Sequence, residues 1–280
     1  MSYLWLVSIL WAFSFGLIKT HLIGIDPFFI AFVRLASAFA VFVFFYKKIS
    51  FYKIIRLFLI GATQFGLMYF FYLKSYQYLK AYEVAVLTIT TPIMIVCIHS
   101  LLERTISLTQ ILAALLSVMA SGVVVYHSTE FNLAVKGVLY VQLSNFFFSL
   151  GQILYKKYFP HSRTESFAEF FWLVLGALVF ISAVLVTQML MLSKPVPISE
   201  LNTTQWLVMI YLGSIATGIG FYMWNLGAKR VSTSQLAVLN NAKVPLAVLV
   251  SWLVFKENVQ LLQVTVSIAL FGTALYLSKK

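Results

Sequence analysis

Two cations lie deep inside apolar stretches of this chain. Lys243 sits in Leu239-Asn240-Asn241-Ala242-Lys243-Val244-Pro245, about eleven residues into a helical stretch, or roughly 16 Å from its start at 1.5 Å per residue. A charge at bilayer depth costs about 2.5–3.5 kcal/mol on insertion scales and persists only with a partner, water or a function. Lys243 can anchor a carboxylate or phosphate on a cargo; the alternatives are neutralisation by burial or a tie to helix carbonyls. Asn240, three residues earlier, shares its helical face, whereas Asn241 points away. Pro245 frees a carbonyl one turn back, and Pro92, after Thr90-Thr91, does the same in the first half of the chain. Interrupted helices at matching positions mark a transport site; a packing kink is the plainer reading. Arg34 either reads a substrate anion or bridges helices with its planar fork.

Other polar and aromatic residues inside apolar stretches extend this set: Trp11, Ser14, Gln64, Tyr69, Asn145, Gln152 and Trp224. Asn145 and Gln152 are seven apart and so share one helix face. Each residue alone fits an interhelical hydrogen bond; together they describe a cavity with aromatic walls. All eight carboxylates fall in loops or near helix ends, and His99 is a weak proton carrier near the end of its stretch. Without an acid in mid-membrane, facilitated diffusion or exchange is favoured over proton symport. No phosphate-binding loop, metal-ligand cluster or nucleophile–base pair occurs, so no cofactor, metal or catalytic residue is expected. The single cysteine, Cys97, cannot form an intrachain disulfide.

The elements that position these residues follow from composition. Of 280 residues, 61 % are apolar and 10 % charged, with a mean hydropathy of +0.94. Soluble domains run at about 45–50 % apolar and about 25 % charged, so this chain belongs in a bilayer. Apolar stretches run near 3–20, 27–46, 54–74, 82–101, 106–126, 135–156, 167–192, 204–226, 233–254 and 259–277. They are too long and too uniformly apolar for barrel strands, which predicts an all-α integral membrane protein of ten transmembrane helices. The net charge of +12 reflects loop cations facing lipid headgroups rather than nucleic acid. Twelve of the 20 basic residues fall in loops on the side of the termini and six on the other, which predicts that both termini are cytoplasmic.

The halves echo each other. Phe13-Ser14-Phe15-Gly16 is matched by Phe148-Ser149-Leu150-Gly151, and Ala85-Val86-Leu87 with Pro92 by Ala237-Val238-Leu239 with Pro245. Glu103, Gln110 and Gly122 correspond to Glu257, Gln263 and Gly272. A five-helix unit is odd, so its second copy enters the membrane inverted; residues 1–126 and 135–280 are the two repeats, around a central cavity.

This architecture resembles the drug/metabolite transporter superfamily, specifically its EamA type. The resemblance rests on the duplicated Ala-Val-Leu…Pro…Glu…Gln…Gly pattern and on Arg34 in Pro27-Phe28-Phe29-Ile30-Ala31-Phe32-Val33-Arg34. It covers essentially the whole chain. It implies a carrier of the bacterial inner membrane that moves a small metabolite by alternating access, often an amino acid or related carboxylate. The alternatives are a multidrug or nucleoside-derivative carrier, such as one for S-adenosylmethionine, and, from another class, a membrane enzyme acting on lipid. The expected partners are a small-molecule substrate and membrane lipids, with the chain a monomer or homodimer.

Overall fold

A computed structural model describes residues 1–22, 24–79, 81–125, 134–160, 166–192, 201–253 and 260–279. Among them the regular structure is helical throughout. The elements are α1 (Ser2–His21), α2 (Pro27–Phe42), α3 (Phe51–Gly61), α4 (Met68–Ser75), α5 (Ala81–Leu87), α6 (Thr91–Glu103) and α7 (Leu108–Val125). There follow α8 (Val135–Tyr158), α9 (Ser166–Leu192), α10 (Thr203–Tyr211), α11 (Gly220–Ala228), α12 (Thr233–Asn240), α13 (Lys243–Leu253) and α14 (Leu261–Leu277). Glu257 of the repeated pattern and the charged residues Lys80, Glu130, Arg163, Glu165, Lys194, Glu200, Lys256 and Lys280 lie outside the described residues.

Helix starts follow local chemistry. Asp26 caps α2 by accepting from the Phe29 N–H at 2.9 Å, and Pro27 takes the first helical position, where its missing N–H costs nothing. Asn202 with Gln205 and Ser232 with Gln235 form reciprocal capping boxes on α10 and α12. Helix α6 ends with Arg104 in the left-handed region at φ 52°, where glycine is usual.

Each apolar stretch of the sequence is met by helix, but four are interrupted. A π segment at Ala62–Leu67 joins α3 to α4, and another at Leu212–Ile219 joins α10 to α11. A 3₁₀ turn at Thr88–Thr90 joins α5 to α6, and a break at Asn241–Ala242 separates α12 from α13. Among the described residues, five segments are long and apolar enough to cross a membrane: Pro27–Phe45, Phe51–Ser75, Val135–Tyr158, Ser166–Met191 and Thr203–Ala228. Shorter apolar helices accompany them.

The packing is paired. Helix α7 lies along α14; α1 packs on α11 and α13, while α8 packs on α4 and α6. Helix α2 meets the π segment at Leu212–Ile219, while α9 meets the one at Ala62–Leu67. Helices α3 and α9 approach closely through glycines on both sides. A Cβ on Gly61 would stand 1.9 Å from the Leu173 carbonyl oxygen, and one on Gly176 would stand 2.1 Å from that of Phe58. Gly61→Ala and Gly176→Ala should therefore each cost about 1–3 kcal/mol of overpacking, lowering the thermal midpoint in detergent by several degrees. Gly272→Ala, with nothing within 4 Å of the added carbon, should leave it unchanged or slightly raised.

Candidate functional site

At three of the four interruptions, side-chain donors from elsewhere in the fold take carbonyls at or beside the break. Asn145 Nδ2 of α8 donates to the Leu87 carbonyl at 3.0 Å and to Thr90 Oγ1 at 3.1 Å. Asn241 Nδ2 reaches the Ile89 carbonyl at 2.8 Å. Ser144 Oγ donates to the Met68 carbonyl at 3.1 Å, and Trp11 Nε1 to that of Ala216 at 3.0 Å. The two prolines behave alike. Pro92 cannot donate to Thr88, whose carbonyl instead accepts the Thr91 N–H and Thr91 Oγ1 at 2.6 Å. Pro245 cannot donate to Asn241, whose carbonyl accepts the Val244 N–H at 3.0 Å.

These braces frame a cavity of about 150 Å³. Trp11, Ser14, Arg34, Tyr69, Asn145 and Lys243, all singled out from the sequence, line it. The Lys243 ammonium stands 5.6 Å from the centroid of the Trp11 ring and has no hydrogen-bond acceptor or ion pair among the described residues. Arg34 Nε donates to Thr217 Oγ1 at 3.0 Å, and its guanidinium lies 5.4 Å from the Tyr69 ring centroid. Tyr69 Oη and Thr217 Oγ1 are 3.4 Å apart. Two cations thus face one small space whose lining includes no carboxylate. That arrangement favours an anion, held by charge-assisted hydrogen bonds in surroundings of low dielectric.

Four expected cavity residues, Gln152, Trp224, Asn240 and Gln64, are not among its lining. Gln152 Oε1 accepts from Trp224 Nε1 at 3.0 Å, and both side chains are fully buried; Trp224 backs the wall by lying 4.9 Å from Trp11. Asn240 is buried away from the cavity, with neither amide atom partnered. The face shared by Asn240 and Lys243 assumes an unbroken helix. The break at Asn241–Ala242 removes that register, and Lys243 opens α13 instead of sitting eleven residues into one helix. Gln64 pairs reciprocally with Asn225, at 2.8 and 3.3 Å. Thr217 and Tyr72 belong to the site but carried no sequence signal beyond a polar group in an apolar run.

Two of the acids are buried in the protein. Glu83 and Glu169 lie in the first turns of α5 and α9, near helix ends as read, yet each is only 2 % exposed. Glu169 Oε2 accepts from Lys229 Nζ at 2.9 Å and from Tyr155 Oη at 2.7 Å, and the ammonium lies 4.2 Å from the Tyr155 ring centroid. Glu169→Ala leaves Lys229 buried without its counter-charge and should cost about 3–5 kcal/mol in detergent unfolding. Adding Lys229→Met should restore most of that loss.

The EamA-like transporter family model matches residues 1–126 and again residues 135–278. A biotin transporter of Salmonella typhimurium is 33 % identical over 267 residues, covering 92 % of this chain and 86 % of its own. One from Escherichia coli K12 is 33 % identical over 262 residues with the same coverage. A probable biotin transporter of Pseudomonas aeruginosa is 32 % identical over 291 residues, covering 100 % of this chain and 97 % of its own. A solved crystal structure matches 99 % of this chain and 96 % of its own at a TM-score of 0.81 and 17 % identity, a likeness of fold.

Proposed function

Because the chain belongs to the EamA-like transporter family, we propose that it carries a small monocarboxylate across the bacterial inner membrane by alternating access, with biotin the first cargo to test. It is a multi-pass membrane transporter and not an enzyme. The observation that carries the cargo class is the pairing of Lys243 and Arg34 around a cavity lined by no acid. The relatives named as biotin transporters supply the specific candidate. Biotin presents one carboxylate and an otherwise uncharged body, which suits that lining. An amino acid also presents an ammonium, and the cavity offers that group hydroxyls and an amide but no counter-charge. At about 150 Å³, this cavity has to widen to admit the cargo.

Alternating access on this reading comes from two inverted five-helix repeats, 1–126 and 135–280, making ten spans with both termini cytoplasmic. The paired interruptions and the exchange of packing partners between halves support it. Facilitated diffusion or exchange is the favoured coupling, because the cavity lining holds no proton-carrying acid.

Uptake of labelled biotin into proteoliposomes tests this. It should persist after the proton gradient is collapsed and accelerate when unlabelled biotin is loaded inside. Lys243→Ala should lower uptake at least about tenfold, the loss of a charge-assisted contact, while detergent stability stays near wild type. Lys243→Arg should recover little, because the guanidinium differs in shape. Normal uptake by Lys243→Ala would remove the anion-anchor reading.

A further inference from the structure

A second, larger cavity of about 600 Å³ lies at the end of the molecule where α2 begins and α4 and α9 end. Its body is apolar, with Phe28 and Phe180 among its walls. Its charged groups are Asp26 and Lys74. The Asp26 carboxylate is already engaged: Oδ1 accepts the Phe29 N–H at 2.9 Å, and Oδ2 accepts Gln188 Nε2 at 3.0 Å. Lys74 is different. Its ammonium has no acceptor or ion pair among the described residues, so the cleft presents an unpaired cation beside a carboxylate whose two oxygens are held by the Phe29 N–H and the Gln188 amide.

Helix α4 is the partition between this cleft and the central cavity. Tyr72 lines the central cavity, and Tyr76, one turn further on, lines the outer cleft. Tyr76 Oη donates to Tyr72 Oη at 2.7 Å, and the rings meet edge to face with centroids 5.3 Å apart. Two aromatic side chains joined by one hydrogen bond are a weak barrier, which opens when the rings rotate apart and each hydroxyl finds water instead.

We propose that the outer cleft is the extracytoplasmic vestibule of the transport path, where Lys74 first collects the cargo's carboxylate, and that the Tyr72–Tyr76 pair is the gate between it and the central cavity. This rests on the transport reading above and adds a second anion station and a route to it. A carboxylate moves from one cation, Lys74, to the pair at Lys243 and Arg34, with its apolar body lying against the aromatic wall.

Thiol labelling tests the path without requiring transport. In a Cys97→Ser background, Thr187→Cys reports the outer cleft and Ser14→Cys the central cavity. In intact cells a small, membrane-impermeant anionic thiosulfonate should modify Thr187→Cys readily and Ser14→Cys slowly. Adding Tyr76→Phe, which removes the hydrogen bond but keeps the ring, should speed Ser14→Cys modification about two- to tenfold and leave Thr187→Cys unchanged. Lys74→Gln should lower the ratio of anionic to cationic reagent rates at Thr187→Cys several-fold. Labelling of Thr187→Cys only in inside-out vesicles overturns the vestibule. An unaltered Ser14→Cys rate with both Tyr76→Phe and Tyr76→Ala overturns the gate, and an unaltered reagent ratio overturns the anion station. If all the labelling results hold but no biotin enters proteoliposomes, the cargo reading fails and the path stands.

Discussion

Backbone polar groups have no solvent partner inside a bilayer, so a helix can be interrupted there only where something else takes the freed carbonyls. This protein interrupts four of its helical stretches, and at three of them side chains from elsewhere in the fold meet the exposed groups. Asn145, Ser144, Trp11 and Asn241 each reach across to a carbonyl at or beside an interruption. The central cavity follows from that arrangement. The space beside the interrupted stretches is lined by Trp11, Ser144 and Asn145, three of the residues that hold those carbonyls.

Those three side chains both hold carbonyls and line the cavity. Trp11 holds the Ala216 carbonyl with its ring nitrogen and presents its face to the Lys243 ammonium. Thr217, next to Ala216 in the same π segment, accepts from Arg34. The cations are therefore placed by the same contacts that keep the interrupted helix whole. Asn241 of the second half bonds to the Ile89 carbonyl of the first, so the interruptions near Pro92 and Pro245 are joined to each other directly. A movement that loosens one is felt at the other.

Much of this was legible in the residues. The ten apolar stretches correspond to helical segments, the two prolines sit at interruptions, and Lys243, Arg34, Trp11, Ser14, Tyr69 and Asn145 meet around one cavity. What was not legible depended on helix continuity or on distant pairing. Face-sharing arguments hold only along an unbroken helix, and the Asn241–Ala242 break separates Asn240 from Lys243. Gln152 satisfies Trp224 instead of facing the cavity, a pairing across 72 residues that no local spacing encodes. The π segments carry no proline; their trace in the sequence is the glycine pair Gly61 and Gly66, repeated 152 residues later as Gly213 and Gly218.

The buried ion pair between Glu169 and Lys229 also constrains how the protein is made. The ribosome emits Glu169 sixty residues before Lys229, so α9 enters the membrane while its acid has no counter-charge. The acid lies in the first turn of the helix, where it can wait at the membrane boundary in contact with water. Its counter-charge becomes available only once α11 has been made, with Lys229 at that helix's end. Within this pair the order is set by the chain: α9 is made first, and its acid gains a counter-charge only after α11 has followed.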